Sequence, residues 1–89
     1  MKTKTEDLIE LQEVQVDSKQ IVVYNDDFNT FDFVIESLIK VCKHEKVQAE
    51  QCTFLIHFKG KCIVKKGTYR ELEPLCTSLL ERGLTAEII

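Results

Sequence analysis

Two places in the chain carry residues whose types could do chemistry together. Tyr24-Asn25-Asp26-Asp27 puts an amide and two adjacent carboxylates at the end of an apolar run. Such a patch is rich in hydrogen-bond acceptors and could receive a cation, either a metal ion or an ammonium group. The same residue types also make ordinary turns. His57 closes a second apolar segment. A neutral imidazole there is either a packing residue or, if it faces the Asn25–Asp27 turn, a further acceptor. A third group is basic: Lys59, Lys61, Lys65, Lys66 and Arg70. In a strand, Lys61, Ile63 and Lys65 point one way and Cys62, Val64 and Lys66 the other. This pattern suits a solvated face or a docking surface for an acidic partner.

Other chemistries lack their residues. Cys42, Cys52, Cys62 and Cys76 show no C-x-x-C spacing. Cys42-Lys43-His44 offers two ligands where a closed zinc site needs four. The cysteines are therefore expected to be small buried apolar side chains, with no disulfide, metal or cofactor. No nucleophile elbow, phosphate-binding glycine loop or HExxH is present, so the chain is not expected to be an enzyme. The net charge of −3 argues against nucleic-acid binding driven by counterion release. No apolar run approaches about 18 residues and no signal-peptide core follows Met1, so a cytoplasmic protein that does not cross a membrane is expected.

The elements that must position these residues are legible in the periodicity. With 89 residues there is room for one small domain. Residues 1–19 are polar and mixed in charge and read as a flexible arm, with an edge strand possible near Glu13–Val16. The domain is expected over residues 20–89. Ile21-Val22-Val23-Tyr24 is a buried β-branched strand. Phe31, Val34, Ile35, Leu38 and Cys42 then follow a helical face, capped by Asn29 or Thr30, with Asp32 in the positive first turn. A second helix is expected from about Val47 to His57 on Ala49, Cys52 and Ile56, with Leu55 alongside, and Gly60 stops it. Lys61–Lys65 is a strand. Thr68-Tyr69-Arg70-Glu71 has the capping-box pattern and opens a third helix on Leu72, Leu75, Cys76 and Leu79. Pro74 is expected to kink its first turns. Gly83 ends it, and Leu84–Ile89 is the last strand. The order βααβαβ predicts an α+β two-layer domain: a three-stranded antiparallel sheet with helices packed on one face.

Taken together, these residues resemble a known family. Val23-Tyr24-Asn25-Asp26-Asp27, the aromatic Phe28, a helix opening near Phe33-Val34, and the segment His57-Phe58-Lys59-Gly60-Lys61 are similar to ClpS, over Ile21 to Ile89. The resemblance implies an adaptor, not an enzyme. It would bind substrates through a free α-amino group and a bulky hydrophobic first residue. It would deliver them to a Clp AAA+ unfoldase of the ClpA or ClpC type that feeds ClpP. By resemblance, Asn25, Asp26, Asp27 and His57 receive the α-ammonium. Asn29, Phe31, Val34, Thr53 and Ile56 line the hydrophobic pocket, and a residue near Ala86 closes it. Its partners would be that unfoldase and the N-terminal segments of substrate proteins, with no nucleic acid or membrane, and a monomer is expected.

Two departures from the family's pattern bear on the pocket. Asn29-Thr30-Phe31 stands where Thr-Pro-Met is usual, and Thr53 where Met is frequent. Phe31 is expected to narrow the mouth or stack on an aromatic ligand, and Thr53 to widen the floor or make it more polar. Two rival readings use the same residues differently. One is a protein-binding module like the ribosomal-stalk domain of the same βααβαβ order. The other is a small metal-binding protein with Asp26, Asp27 and His57 as ligands.

Overall fold

The computed structural model describes residues 18–89. The elements run β1 (Lys19–Tyr24), α1 (Phe31–Cys42), α2 (Lys46–Lys59), β2 (Lys61–Gly67), α3 (Tyr69–Glu81) and β3 (Thr85–Ile88). The sheet order is β2-β1-β3 with both pairings antiparallel. This is the α+β two-layer arrangement that the periodicity predicts. Of the arm expected over residues 1–19, residues 1–17, with the edge strand near Glu13–Val16, lie outside the described residues, whereas Lys19 is the first residue of β1.

Strand alternation decides which face is covered. Ile21 and Val23 of β1, Val64 of β2 and Ala86 of β3 join the core with Leu38, Ala49, Ile56, Leu72 and Leu79 of the helices. On the opposite face β1 presents Gln20, Val22 and Tyr24, where the Tyr24 hydroxyl donates to Glu87. Cys42, Cys52 and Cys76 are buried, Cys62 is half-buried, and all four are free. Burial pushes the Cys42 thiol up to about 11, far from the thiolate form that a reactive cysteine needs.

Each helix end has a local cause. The Thr30 hydroxyl accepts from the Phe33 N–H and caps α1, and Asp32 sits in the first turn. Thr68 and Glu71 form the expected capping box on α3. That helix runs unbroken through Pro74. α2 ends at Gly60, whose φ of +96° lies in the left-handed region, where a Cβ is strained. α1 ends at Lys43 with φ of +60°, although no glycine stands there.

Several expectations about side chains need correction. Leu55 is not beside the core of α2 but 42% exposed, and Thr53 takes an inner place at 2%. On α1, Ser37 is buried where the apolar pattern has no member. Its hydroxyl donates to the Phe33 carbonyl and accepts from Arg82 Nε, both at 2.8 Å. The simple alternation of β2 also fails. Ile21 pairs with Lys65 and Val22 with Ile63, so Val64 is an extra residue, a β-bulge. The bulge moves Lys65 to the helix side, where its Nζ lies 3.5 Å from the Cys42 carbonyl at the end of α1. Lys61 and Lys66, which simple alternation places on opposite faces, both lie on the open face, paired with Tyr24 and Gln20. The basic cluster is therefore divided between two sides of the sheet.

Candidate functional site

The turn after β1 is built by its own side chains. Asp26 Oδ1 accepts from the Phe28 and Asn29 N–H groups at 2.9 and 2.8 Å, and Oδ2 accepts from Asn29 Nδ2 at 2.7 Å. Burial alone would raise the Asp26 carboxyl. The Asn29 and Phe28 donors outweigh it and hold the group below the usual carboxylate range. Asn29 Nδ2 also donates to the Gly83 carbonyl at 2.9 Å. One amide thus ties the β1–α1 turn to the α3–β3 loop.

A second tie brings in α2. The Asn25 N–H donates to the Gly60 carbonyl at 2.9 Å, and the Gly60 N–H returns to Ile56 at 3.0 Å. Tyr24 pairs with Lys61 directly beyond. Asn25 and His57 are therefore held at opposite sides of one short turn, although they lie far apart in sequence. This explains physically why a glycine stands three residues after the histidine: only there can α2 stop sharply enough for β2 to pair with β1.

Around this junction lies a small, partly open cavity of about 10 Å³, room for about one water. Asn25, Asp26, Asn29 and His57 line its polar side, and Phe31, Val34, Thr53 and Ile56 its apolar side. Every candidate named from the sequence is present except Asp27, which is exposed and lies outside the lining. Val23, Tyr24 and Leu84 complete the wall. Leu84 is the residue near Ala86 that lines it: Gly83 turns the chain (φ +92°) two residues after α3, and Leu84 is buried at 4% exposure. The signal for Leu84 is the Gly-Leu step itself, an apolar residue just past a helix stop.

The functional groups differ in how free they are. Asp26 and Asn29 are engaged in holding the turn. Among the described residues no hydrogen bond occupies the Asn25 side chain or the His57 ring, so both can accept from a ligand. The His57 ring is exposed and is set by aromatic contacts, with Phe58 at 5.5 Å and Phe31 at 6.0 Å between centroids. Thr53 brings less polarity than its hydroxyl suggests. Its Oγ1 donates to the Ala49 carbonyl at 2.7 Å and is satisfied within α2. Among the described residues no cluster of three or more His, Cys, Asp or Glu is arranged to hold a metal ion. Nor is any described helix long and apolar enough to cross a membrane.

Residues 15–87 match the family model of the ATP-dependent Clp protease adaptor protein ClpS. The ClpS adapter protein of Thermosynechococcus vestitus is 36% identical over 67 residues, covering 74% of this chain and 71% of its own. That of Acetivibrio thermocellus is 36% identical over 70 residues, covering 73% and 71%. A stretch of the E3 ubiquitin-protein ligase UBR1 of Drosophila melanogaster is 37% identical over 67 residues. It takes up 73% of this chain but the chain spans only 4% of the ligase. Among solved structures, Agrobacterium tumefaciens ClpS2 bound to L-phenylalaninamide has a TM-score of 0.75 at 18% identity, covering 82% of this chain and 95% of that one. At that identity the likeness concerns the fold.

Proposed function

The chain belongs to the ClpS family of Clp protease adaptors, and on that premise we propose that its cavity captures N-degrons: a free α-amino group together with a bulky hydrophobic first side chain. The observation that carries this reading is one cavity lined on one side by free acceptors, Asn25 and His57, and on the other by Val34, Thr53 and Ile56.

An α-ammonium group has three donors and must find acceptors when it leaves water. The Asn25 oxygen and a neutral His57 nitrogen supply two. Asp26 supplies negative potential, held ionised by its turn donors. Asp27 acts from the exposed rim. Each bond to the charged group contributes roughly 1.5–3 kcal/mol, and burying the first side chain adds about 1.5–3 kcal/mol. The loss of rigid-body freedom offsets part of this, so affinity of about micromolar or tighter is expected. An internal Phe brings no ammonium, and a charged first residue meets an apolar wall.

The resting cavity is too small for such a side chain. Phe31, at 36% exposure, is the most exposed residue of the apolar side. Its ring turns outward when the first residue enters. The captured chain is then handed to a Clp AAA+ unfoldase of the ClpA or ClpC type. A segment similar to this chain also lies inside a ubiquitin ligase, so the delivery route is tested separately, by adaptor-dependent degradation with purified ClpAP or ClpCP.

Fluorescence anisotropy with labelled peptides beginning in Phe, Leu, Tyr, Trp, Ile or Lys, each with an acetylated twin, tests capture. Binding of the bulky free N-termini, abolished by acetylation, is expected. Equal binding of free and acetylated peptides would refute the role of the acceptors.

A further inference from the structure

We propose that the shallow groove beside the cavity, on the outer side of α2, receives the side chain of the substrate's third residue and favours an aliphatic or aromatic one. The proposal rests on the N-degron reading above and extends it along the captured chain.

The groove is unusual for a helix of this kind. A surface helix normally turns polar residues to solvent. α2 instead has a buried apolar face, Ala49, Cys52 and Ile56, and a second apolar stripe on its other side. Val47, Phe54, Leu55 and Phe58 are 63, 54, 42 and 63% exposed. Phe54 and Phe58 lie against each other, with centroids 4.4 Å apart and planes tilted by 39°. They form an aromatic wall that is already packed before any ligand arrives. Contiguous exposed apolar surface of this kind marks an interaction site.

Continuity with the cavity identifies the occupant. Phe31 lines both the cavity and the groove, which is otherwise formed by Glu50, Gln51, Phe54 and Leu55 and has about 540 Å³ of open space. Phe31 is the one lining residue that the two share. An extended peptide advances about 3.3 Å per residue and turns alternate side chains to the same side. Its first and third side chains therefore point the same way about 7 Å apart, a separation that suits two hollows sharing one ring as their wall. The second side chain points away. Glu50 on the rim adds a charge preference: an acidic third residue is disfavoured.

Free-amine peptides that differ only after the first residue test this: Phe-Gly-Gly, Phe-Leu-Gly, Phe-Gly-Leu and Phe-Gly-Asp on a common labelled tail. Phe-Gly-Leu is expected to bind about tenfold more tightly than Phe-Gly-Gly, with Phe-Leu-Gly close to Phe-Gly-Gly and Phe-Gly-Asp weakest. In Phe54→Ala, the gain from Leu is expected to vanish while the affinity for Phe-Gly-Gly is kept. Phe54 is half exposed and outside the core, so this variant keeps its fold, and the peptide series on the wild type is independent of it. Equal binding of Phe-Gly-Gly and Phe-Gly-Leu would overturn the groove and leave N-degron capture standing. So would a leucine preference confined to the second position, or one that survives in Phe54→Ala. Failure of every free-amine peptide to bind would overturn both.

Discussion

The Phe31 ring meets the His57 ring edge-on, with centroids 6.0 Å apart and planes at 77°. In the proposed function this contact joins the polar and apolar halves of the site, with His57 as an acceptor and Phe31 as the movable wall. A bulky first side chain would break it on entering. Phe31→Met, a flexible thioether in place of a ring, is expected to lower that barrier. The gain is expected to be greatest, about tenfold, for Trp-first peptides, which need the most room. An unchanged order of preference in this variant would show that Phe31 does not control entry.

In the proposed function the two free acceptors, Asn25 and His57, hold the ammonium. His57→Ala is expected to lose about tenfold or more in affinity for free-amine peptides. Asn25→Ala is expected to cost a similar factor, and Asp27→Ala less, because Asp27 stands outside the cavity. Anisotropy titrations of the three variants check this, and wild-type affinity in His57→Ala would remove His57 from the site.

Asp26 predicts an acid effect on the turn. Its folded carboxyl is held below the ordinary range, so its contribution to the turn is complete above the ordinary aspartate value of about 3.9. That contribution is lost only as pH falls through the lower folded value. The Phe28 and Asn29 amides should stay hydrogen-bonded at and above the ordinary aspartate value, and be released below it. Amide NMR shifts followed from neutral to strongly acidic pH check this. In Asp26→Asn, which keeps an acceptor but does not titrate, the acid step should disappear.

Gly60 is a position where strain, not space, decides. A Cβ there meets nothing within 4 Å, but φ is +96°. Gly60→Ala is therefore expected to cost about 1–2 kcal/mol through backbone strain alone. That lowers Tm by several degrees in a domain of this size. Because the Gly60 carbonyl accepts the Asn25 N–H, peptide affinity should fall as well. A thermal melt and a binding curve on one sample separate the two effects.

Most of this architecture could be read from residue order, and the exceptions have a common cause. Periodicity marks α1 and α3, the Thr68–Glu71 box opens α3, and Gly60 and Gly83 stop their helices, all through neighbours in sequence. The bulge at Val64 is different. Its carbonyl bonds to His44 Nε2 at 2.6 Å, from 20 residues away, and nothing within β2 announces that partner. The outward turn of Leu55 was equally hidden, because α2 is apolar on two sides and periodicity alone cannot choose between them. The turn carboxylates looked equivalent. Only the geometry distinguishes Asp26, engaged with three donors, from Asp27, which is left at the rim.

The strand order has a mechanical meaning. β1 is central, and its six residues span roughly 17 Å between Lys19 and the Asn25 turn. The chain ahead of Lys19 therefore joins the sheet at the end remote from the cavity. A load applied there would act along the central strand, in shear against both hydrogen-bonded ladders at once, and would have to part them together before it disturbed the mouth. A fusion partner or a surface tether attached ahead of Lys19 should leave the mouth facing free solution.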